Sequence, residues 1–131
     1  MLPSSLCAGP IGGRVRRMQK RLIYKLCRMD DWQTAVAAGT FTGSEHDKRD
    51  GFIHCSAADQ VPGSAARYFP GEDVVLLSID SGQVADIVKW EENPRGLFPH
   101  LYGELPITAV TGVEFVRWNG EDHVLPYLPD A

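Results

Sequence analysis

Two short segments concentrate the side chains able to do chemistry. The first is Gly51-Phe52-Ile53-His54-Cys55-Ser56. In a strand, alternate side chains point to opposite faces, so Phe52 and His54 share one face while Ile53 and Cys55 form an apolar one. His54 then stands at the last step of a strand, before a helix that Ser56 caps and whose first turn carries Asp59. Main-chain N–H groups at such a helix start receive negative charge, and an imidazole beside them is well placed to meet a ligand. The same position also suits a histidine held by a backbone carbonyl, with no role beyond structure.

The second segment is Phe98-Pro99-His100-Leu101-Tyr102-Gly103-Glu104-Leu105-Pro106. An extended chain points the imidazole of His100, the phenol of Tyr102 and the carboxylate of Glu104 to one side. Gly103 and the two prolines hold the backbone to a defined path. An aromatic-rich connection whose Phe98, Leu101 and Tyr102 fill a core edge fits these residues equally well.

Other chemistries find little support. There is no G-x-x-x-x-G-K-[ST] phosphate loop, no G-x-G-x-x-G after a strand, no G-x-S-x-G and no H-E-x-x-H. Of the histidines His46, His54, His100 and His123, only His54 lies next to another soft ligand, Cys55. Adjacent strand residues face opposite ways, so no metal site is expected. The same geometry removes His54 as a base for Cys55, which reads as a small buried hydrophobe.

The elements that must position these segments are legible from Leu22 onward. Leu22–Arg28 is a short apolar strand, and Asp30 or Asp31 caps a helix that runs to Ala38 and stops at Gly39. Thr40–Asp50 reads as a polar loop, Gly51–Cys55 as a strand, and Ser56 to about Phe69 as a helix that Pro62-Gly63 interrupts. Glu72–Asp80 is the clearest strand. Ser81-Gly82 turns the chain into a strand at Ile87–Trp90, and Glu91–Gly96 is a loop. A short helical turn at 107–110, a strand at Val113–Trp118, an Asn119-Gly120 hairpin and a return at His123–Leu125 complete the chain. About six strands and two main helices, without a βαβ repeat, predict an α+β fold.

Composition sets the outer limits. A chain of 131 residues, 44% hydrophobic and 23% charged, is the size and make-up of one globular domain. No apolar run is long enough for a membrane-spanning helix, so no membrane partner is expected. Three cysteines without paired spacing predict free thiols and a reducing, cytoplasmic setting. Residues 1–19 read as a flexible basic leader or an over-called start, with the domain at 20–131. Residues 1–21 hold five basic groups and no acid, leaving 8 basic against 17 acidic groups beyond them. An acidic body makes DNA an improbable partner.

In order, Ile23-Tyr24-Lys25, a Trp-containing helix, GFIHCS, a helix ending Arg67-Tyr68-Phe69, VVLLSID, Lys89-Trp90-Glu91 and FPHLYG resemble a family of small bacterial and plant proteins. That family is known as domain of unknown function 952, and the resemblance runs from about Arg21 to Tyr127. The family in turn resembles a distant branch of the ADP-ribosyltransferase fold. The resemblance implies a small, split, mostly antiparallel sheet with NAD in a cleft between its halves. It places the first-strand position at Tyr24-Lys25, where relatives tend to carry histidine. Lysine there can meet a ribose hydroxyl or a phosphate, with looser geometry than imidazole.

The second position falls at His54 with Ser56 beside it, and Tyr68 stands where relatives supply an aromatic for nicotinamide. The third falls around His100, Tyr102 and Glu104. The implied function is binding of NAD or an ADP-ribose-type nucleotide, with ADP-ribosyl transfer or a related hydrolysis. NAD enters as a substrate, and no resident cofactor is implied. In that chemistry His54 fixes ribose hydroxyls or acts as general acid/base, Tyr68 and Tyr102 stack on the leaving ring, and Glu104 stabilises an oxocarbenium-like cation. Lys25 in place of histidine, and a Glu that no motif fixes, keep open a non-catalytic nucleotide-binding module. A protein-interaction module built on the aromatics of Phe98–Tyr102 is the other alternative.

Overall fold

A computed structural model describes residues 21–129. The expectation for a leader at 1–19 lies outside the described residues. In chain order come β1 (Leu22–Cys27), α1 (Met29–Ala38), β2 (Thr40–Phe41), α2 (Glu45–Asp50), β3 (Ile53–His54) and α3 (Val61–Tyr68). These are followed by β4 (Val74–Asp80), β5 (Val88–Asn93), β6 (Gly96–Leu101), β7 (Leu105–Pro106), β8 (Val110–Trp118) and β9 (His123–Val124). The fold is α+β, and every strand pairing among the described residues is antiparallel.

One sheet has the order β1-β4-β8-β9, a second β3-β6-β5, and β2 pairs with β7. β4 lies inside the first sheet and is covered on both faces, which is why VVLLSID is a continuous apolar run rather than an alternation. The period of two divides β1 and β4 between two cores. Ile23, Cys27, Val75, Leu77 and Ile79 face Phe41, Ile53, Leu101 and Leu105, while Tyr24, Leu26, Val74 and Leu76 pack with Val116 and with Val61 and Ala65 of α3. Lys25 lies on the first of these faces, between Ile23 and Cys27, and so is directed between the sheets.

The first two sheets meet at one seam. The Tyr24 amide donates to the Ser56 carbonyl at 2.8 Å, and the Ser56 amide donates back to Tyr24 at 2.8 Å. This seam brings the edge of β1 to the residues just after β3.

Several local expectations are corrected. Thr40–Asp50 is not a loop: it contains β2 and helix α2. Ser44 Oγ accepts from the Asp47 amide at 3.2 Å, and the Asp47 carboxylate accepts from the Ser44 amide at 2.9 Å, a reciprocal capping box. Ser56 caps no helix: its hydroxyl meets that of Ser64 at 3.0 Å, and Ala57 and Gln60 are the residues that precede the 3-10 turn and the helix. The chain passes through a 3-10 turn at Ala58–Gln60 before α3 begins, and Pro62 lies in the first turn of α3, where a missing N–H costs nothing. Arg28, not Asp30 or Asp31, is the N-cap residue of α1, and the two acids lie in its first turn. Glu91–Gly96 is no loop either, since β5 continues to Asn93 and pairs with β6 across a tight turn. Nine short strands and three α-helices therefore stand, among the described residues, where about six and two were expected. No helix among them is long and apolar enough to cross a membrane.

Candidate functional site

The site is built outward from Asp47. Its carboxylate is 2% exposed and accepts from the Lys25 ammonium at 2.8 and 3.0 Å, from the His54 amide at 3.1 Å and from His54 Nδ1 at 2.6 Å. Burial pushes the Asp47 pKa up, but the His54 hydrogen bond and the Lys25 charge outweigh it and hold the carboxyl well below the usual range. A carboxylate only accepts, so the His54 Nδ1 that meets Asp47 carries a proton, and Nε2 is the ring atom turned towards Asp50. Lys25, 5% exposed, is neutralised by this pairing.

His54 Nε2 lies 2.9 Å from Asp50 Oδ2, and His46 Nε2 lies 3.3 Å from the same oxygen. The two imidazoles stack with centroids 4.4 Å apart, and Tyr68 lies 5.3 Å from His46. Residues four apart share a helix face, so α2 presents His46 and Asp50 together. Gly51, at φ 89°, ends α2 with a left-handed turn and returns the chain into β3. Burial and the neighbouring His54 push the His46 pKa down.

Phe52 links this cluster to a second one. Its ring stacks on His100 at 4.1 Å and tilts against His54 at 4.5 Å, as expected for two residues on one strand face. His100 Nδ1 and the Tyr102 hydroxyl each meet Glu91 Oε1 at 2.7 Å. These hydrogen bonds, His100 first, lower the Glu91 pKa, and the same contact raises that of Tyr102. Lys89 lies opposite His100 across β5 and β6, so Glu91 reaches it along the diagonal.

Of the residues singled out in the sequence, Lys25, His54, Ser56, Tyr68 and His100 line one cleft of about 1040 Å³. Tyr24 does not line it: the ring is buried in the second core and its hydroxyl donates to the Pro129 carbonyl at 2.8 Å. Tyr102 and Glu104 are exposed and outside the cleft lining. β6 ends at Leu101 and the chain bends at Tyr102-Gly103, so the extended projection does not carry on to Glu104. The carboxylate that meets His100 and Tyr102 comes instead from Glu91 on the neighbouring strand.

Asp47, Asp50, His46 and Glu91 are the participants that spacing did not single out. The Ser44-x-x-Asp47 capping pattern and the four-residue steps from His46 to Asp50 to His54 were the available signals. Spacing pairs His54 only with Cys55, which points into the core; α2 instead brings His46 and Asp50 to it, and the three ligand atoms lie within 4.8 Å of one another. Cys27 and Cys55 are free and buried, and burial pushes both thiols up to about 12.

A small α+β protein of antiparallel sheets, with a cleft walled by paired histidines and acids, is the class these features define. The sequence profile of the family described as a protein of unknown function (DUF952) matches residues 26–113, and the chain belongs to that family. The chain is also similar to the crystal structure of protein CC0527 from Caulobacter crescentus. They share 36% identity with a TM-score of 0.74, over 78% of this chain and 91% of that one. The solution structure of CC0527 matches with 37% identity and a TM-score of 0.69, over 79% of this chain and 90% of that one. Among curated proteins nothing matches the chain.

Proposed function

We propose that the cleft binds NAD or an ADP-ribose-type nucleotide, as a distant branch of the ADP-ribosyltransferase fold. The observation that carries this reading is the convergence of Lys25, His54, Ser56, Tyr68 and His100, from four separate stretches of chain, on one cleft. Its volume of about 1040 Å³ is at the upper end for ligand sites and suits a dinucleotide. Tyr68 is 44% exposed, a free aromatic face on which a nicotinamide or adenine ring can stack. Arg67 and Arg95 line the same cleft, and guanidinium groups match a diphosphate in geometry and charge. Because Asp47 neutralises Lys25, that ammonium does not oppose a developing oxocarbenium cation. His54, with Nδ1 held, offers Nε2 to a ribose hydroxyl in exchange for Asp50.

The acid assigned to the cation, Glu104, lies outside the cleft lining, which favours the second reading: nucleotide binding without turnover. The buried free thiols Cys27 and Cys55 support a reducing compartment, the cytoplasm in this proposal. Thermal unfolding in the presence of NAD, ADP-ribose and nicotinamide tests the binding. A nucleotide at 100 times its Kd adds about 2.7 kcal/mol, and Tyr68→Ala together with Arg67→Ala removes the gain while leaving the unliganded midpoint in place. No stabilisation by any of the three ends this reading. Release of nicotinamide from NAD separates transfer or hydrolysis from binding alone.

A further inference from the structure

The arrangement around Asp50 does not depend on the nucleotide. His54 Nε2 and His46 Nε2 both approach Asp50 Oδ2, at 2.9 and 3.3 Å, so two imidazole nitrogens and a carboxylate oxygen converge on one point. Nδ1 of His54 is committed to Asp47 at 2.6 Å, which leaves Nε2 as the ring atom that meets Asp50 and can bind an ion. We propose that His46, Asp50 and His54 form a binding site for a divalent first-row transition ion of the zinc class.

Three independent features support the site. Two of the three separations, 2.9 and 3.3 Å, are close to the roughly 3.4 Å between ligands on a tetrahedral zinc ion, and all three atoms lie within 4.8 Å of one another. The outer partner is in place: a metal-bound histidine commonly gives its other N–H to a carboxylate, which fixes the tautomer, and Asp47 receives Nδ1–H of His54 at 2.6 Å. That carboxylate is in turn fixed by the buried Lys25 and by two backbone amides, so His54 is anchored on a rigid support. The donor set names the ion class. Two imidazoles and one carboxylate suit zinc, cobalt, nickel or ferrous iron, whereas magnesium and calcium prefer all-oxygen shells. Cys55 supplies no thiolate, because its sulfur is buried in the first core. Three protein ligands leave at least one coordination position for water or an oxygen of a molecule in the cleft.

The test uses the full chain without a histidine tag, stripped with chelator and exchanged into chelator-free buffer. Titration with Co²⁺ is followed by visible absorption, and titration with Zn²⁺ by calorimetry. The expected result is one ion per chain, d–d bands of a low-coordinate cobalt site, and displacement of Co²⁺ by Zn²⁺. His46→Ala and Asp50→Asn, at side chains 37% and 40% exposed, leave the unfolding midpoint of the metal-free protein nearly unchanged. Each weakens binding by more than the ~10–100-fold that loss of an outer partner alone costs, and removes the bands. Absence of stoichiometric binding overturns the proposal, as does binding that survives His46→Ala. Both titrations are run without nucleotide, so either failure leaves the nucleotide reading untouched, and the reverse holds too.

Discussion

Asp47 shows how one buried carboxylate can organise a site from three elements. It neutralises Lys25 from β1, fixes the ring of His54 from β3 and closes the cap of its own helix. A buried pair of this kind contributes little net stability over apolar replacements, but it leaves a costly orphan charge if either partner is lost, so it serves geometry first. His54 and His100 were legible because imidazoles at strand positions stand out against an apolar background. Asp47 was not, because an acid in a charged stretch looks like solvated surface until the strand it faces is known. Glu104 lies outside the cleft lining for a related reason: sequence proximity to His100 does not compete with Glu91, nine residues earlier but on the adjacent strand. The Glu91 contact has a definite pH signature. Its folded pKa lies below the unfolded value of about 4.3, so the stabilisation it contributes is present above that pH and is lost as pH falls through the folded pKa. Carbon-detected NMR titration is expected to give a Glu91 midpoint below the ordinary glutamate range, rising in His100→Ala and, by less, in Tyr102→Phe. A midpoint unchanged in both variants would remove the hydrogen bonds as its cause.

At the level of elements, α2 carries most of what the sequence concealed. Six residues are too few to hold a helix by propensity, and Glu45-His46-Asp47-Lys48-Arg49-Asp50 has no apolar face to announce one. The helix exists because its start is capped in both directions and its one buried residue, Asp47, is tied to β1 and β3. Ser44→Ala is therefore expected to cost about 1 kcal/mol in urea unfolding. It should also speed amide exchange across 45–50 well beyond that of β4, because the cap supports an element with little else to hold it. Equal protection in the variant and the parent would mean that the Asp47 contacts alone fix α2. Elements with strong apolar content were read almost as they stand: β1, β4, α1 with its Gly39 stop, and the β8–β9 hairpin. Those set by pairing partners, such as the extension of β5 to Asn93, were not.

At the level of the whole molecule, composition and element order sufficed for the α+β class, but not for its division into separate sheets. Strand partners that are distant in sequence, such as β1 with β4 or β2 with β7, leave no local mark. Burial between those sheets has a chemical consequence for the thiols. Cys27 and Cys55, with pKa values pushed up to about 12, carry almost no thiolate at neutral pH and are 1% and 3% exposed. In the native protein both should resist alkylation, and in rising urea their reaction should follow the same transition as the loss of tertiary structure. Rapid modification of either without urea would show that the layers part more readily than their packing indicates.

The Tyr24–Ser56 seam has a mechanical consequence. Its two hydrogen bonds sit one residue from Lys25 and two from His54, both of which line the cleft. Prising the sheets apart there would snap both bonds and strip Lys25 from Asp47 in the same movement, so each contact holds the other in place. Near Arg95, which lines the cleft with Arg67 and Tyr68, the tie is a side-chain bond, Gln60 Nε2 donating to the Leu97 carbonyl at 2.8 Å. A pull that parts the sheets therefore has to break backbone bonds and a buried ion pair together at Tyr24–Ser56, whereas near Arg95 it meets a side-chain contact.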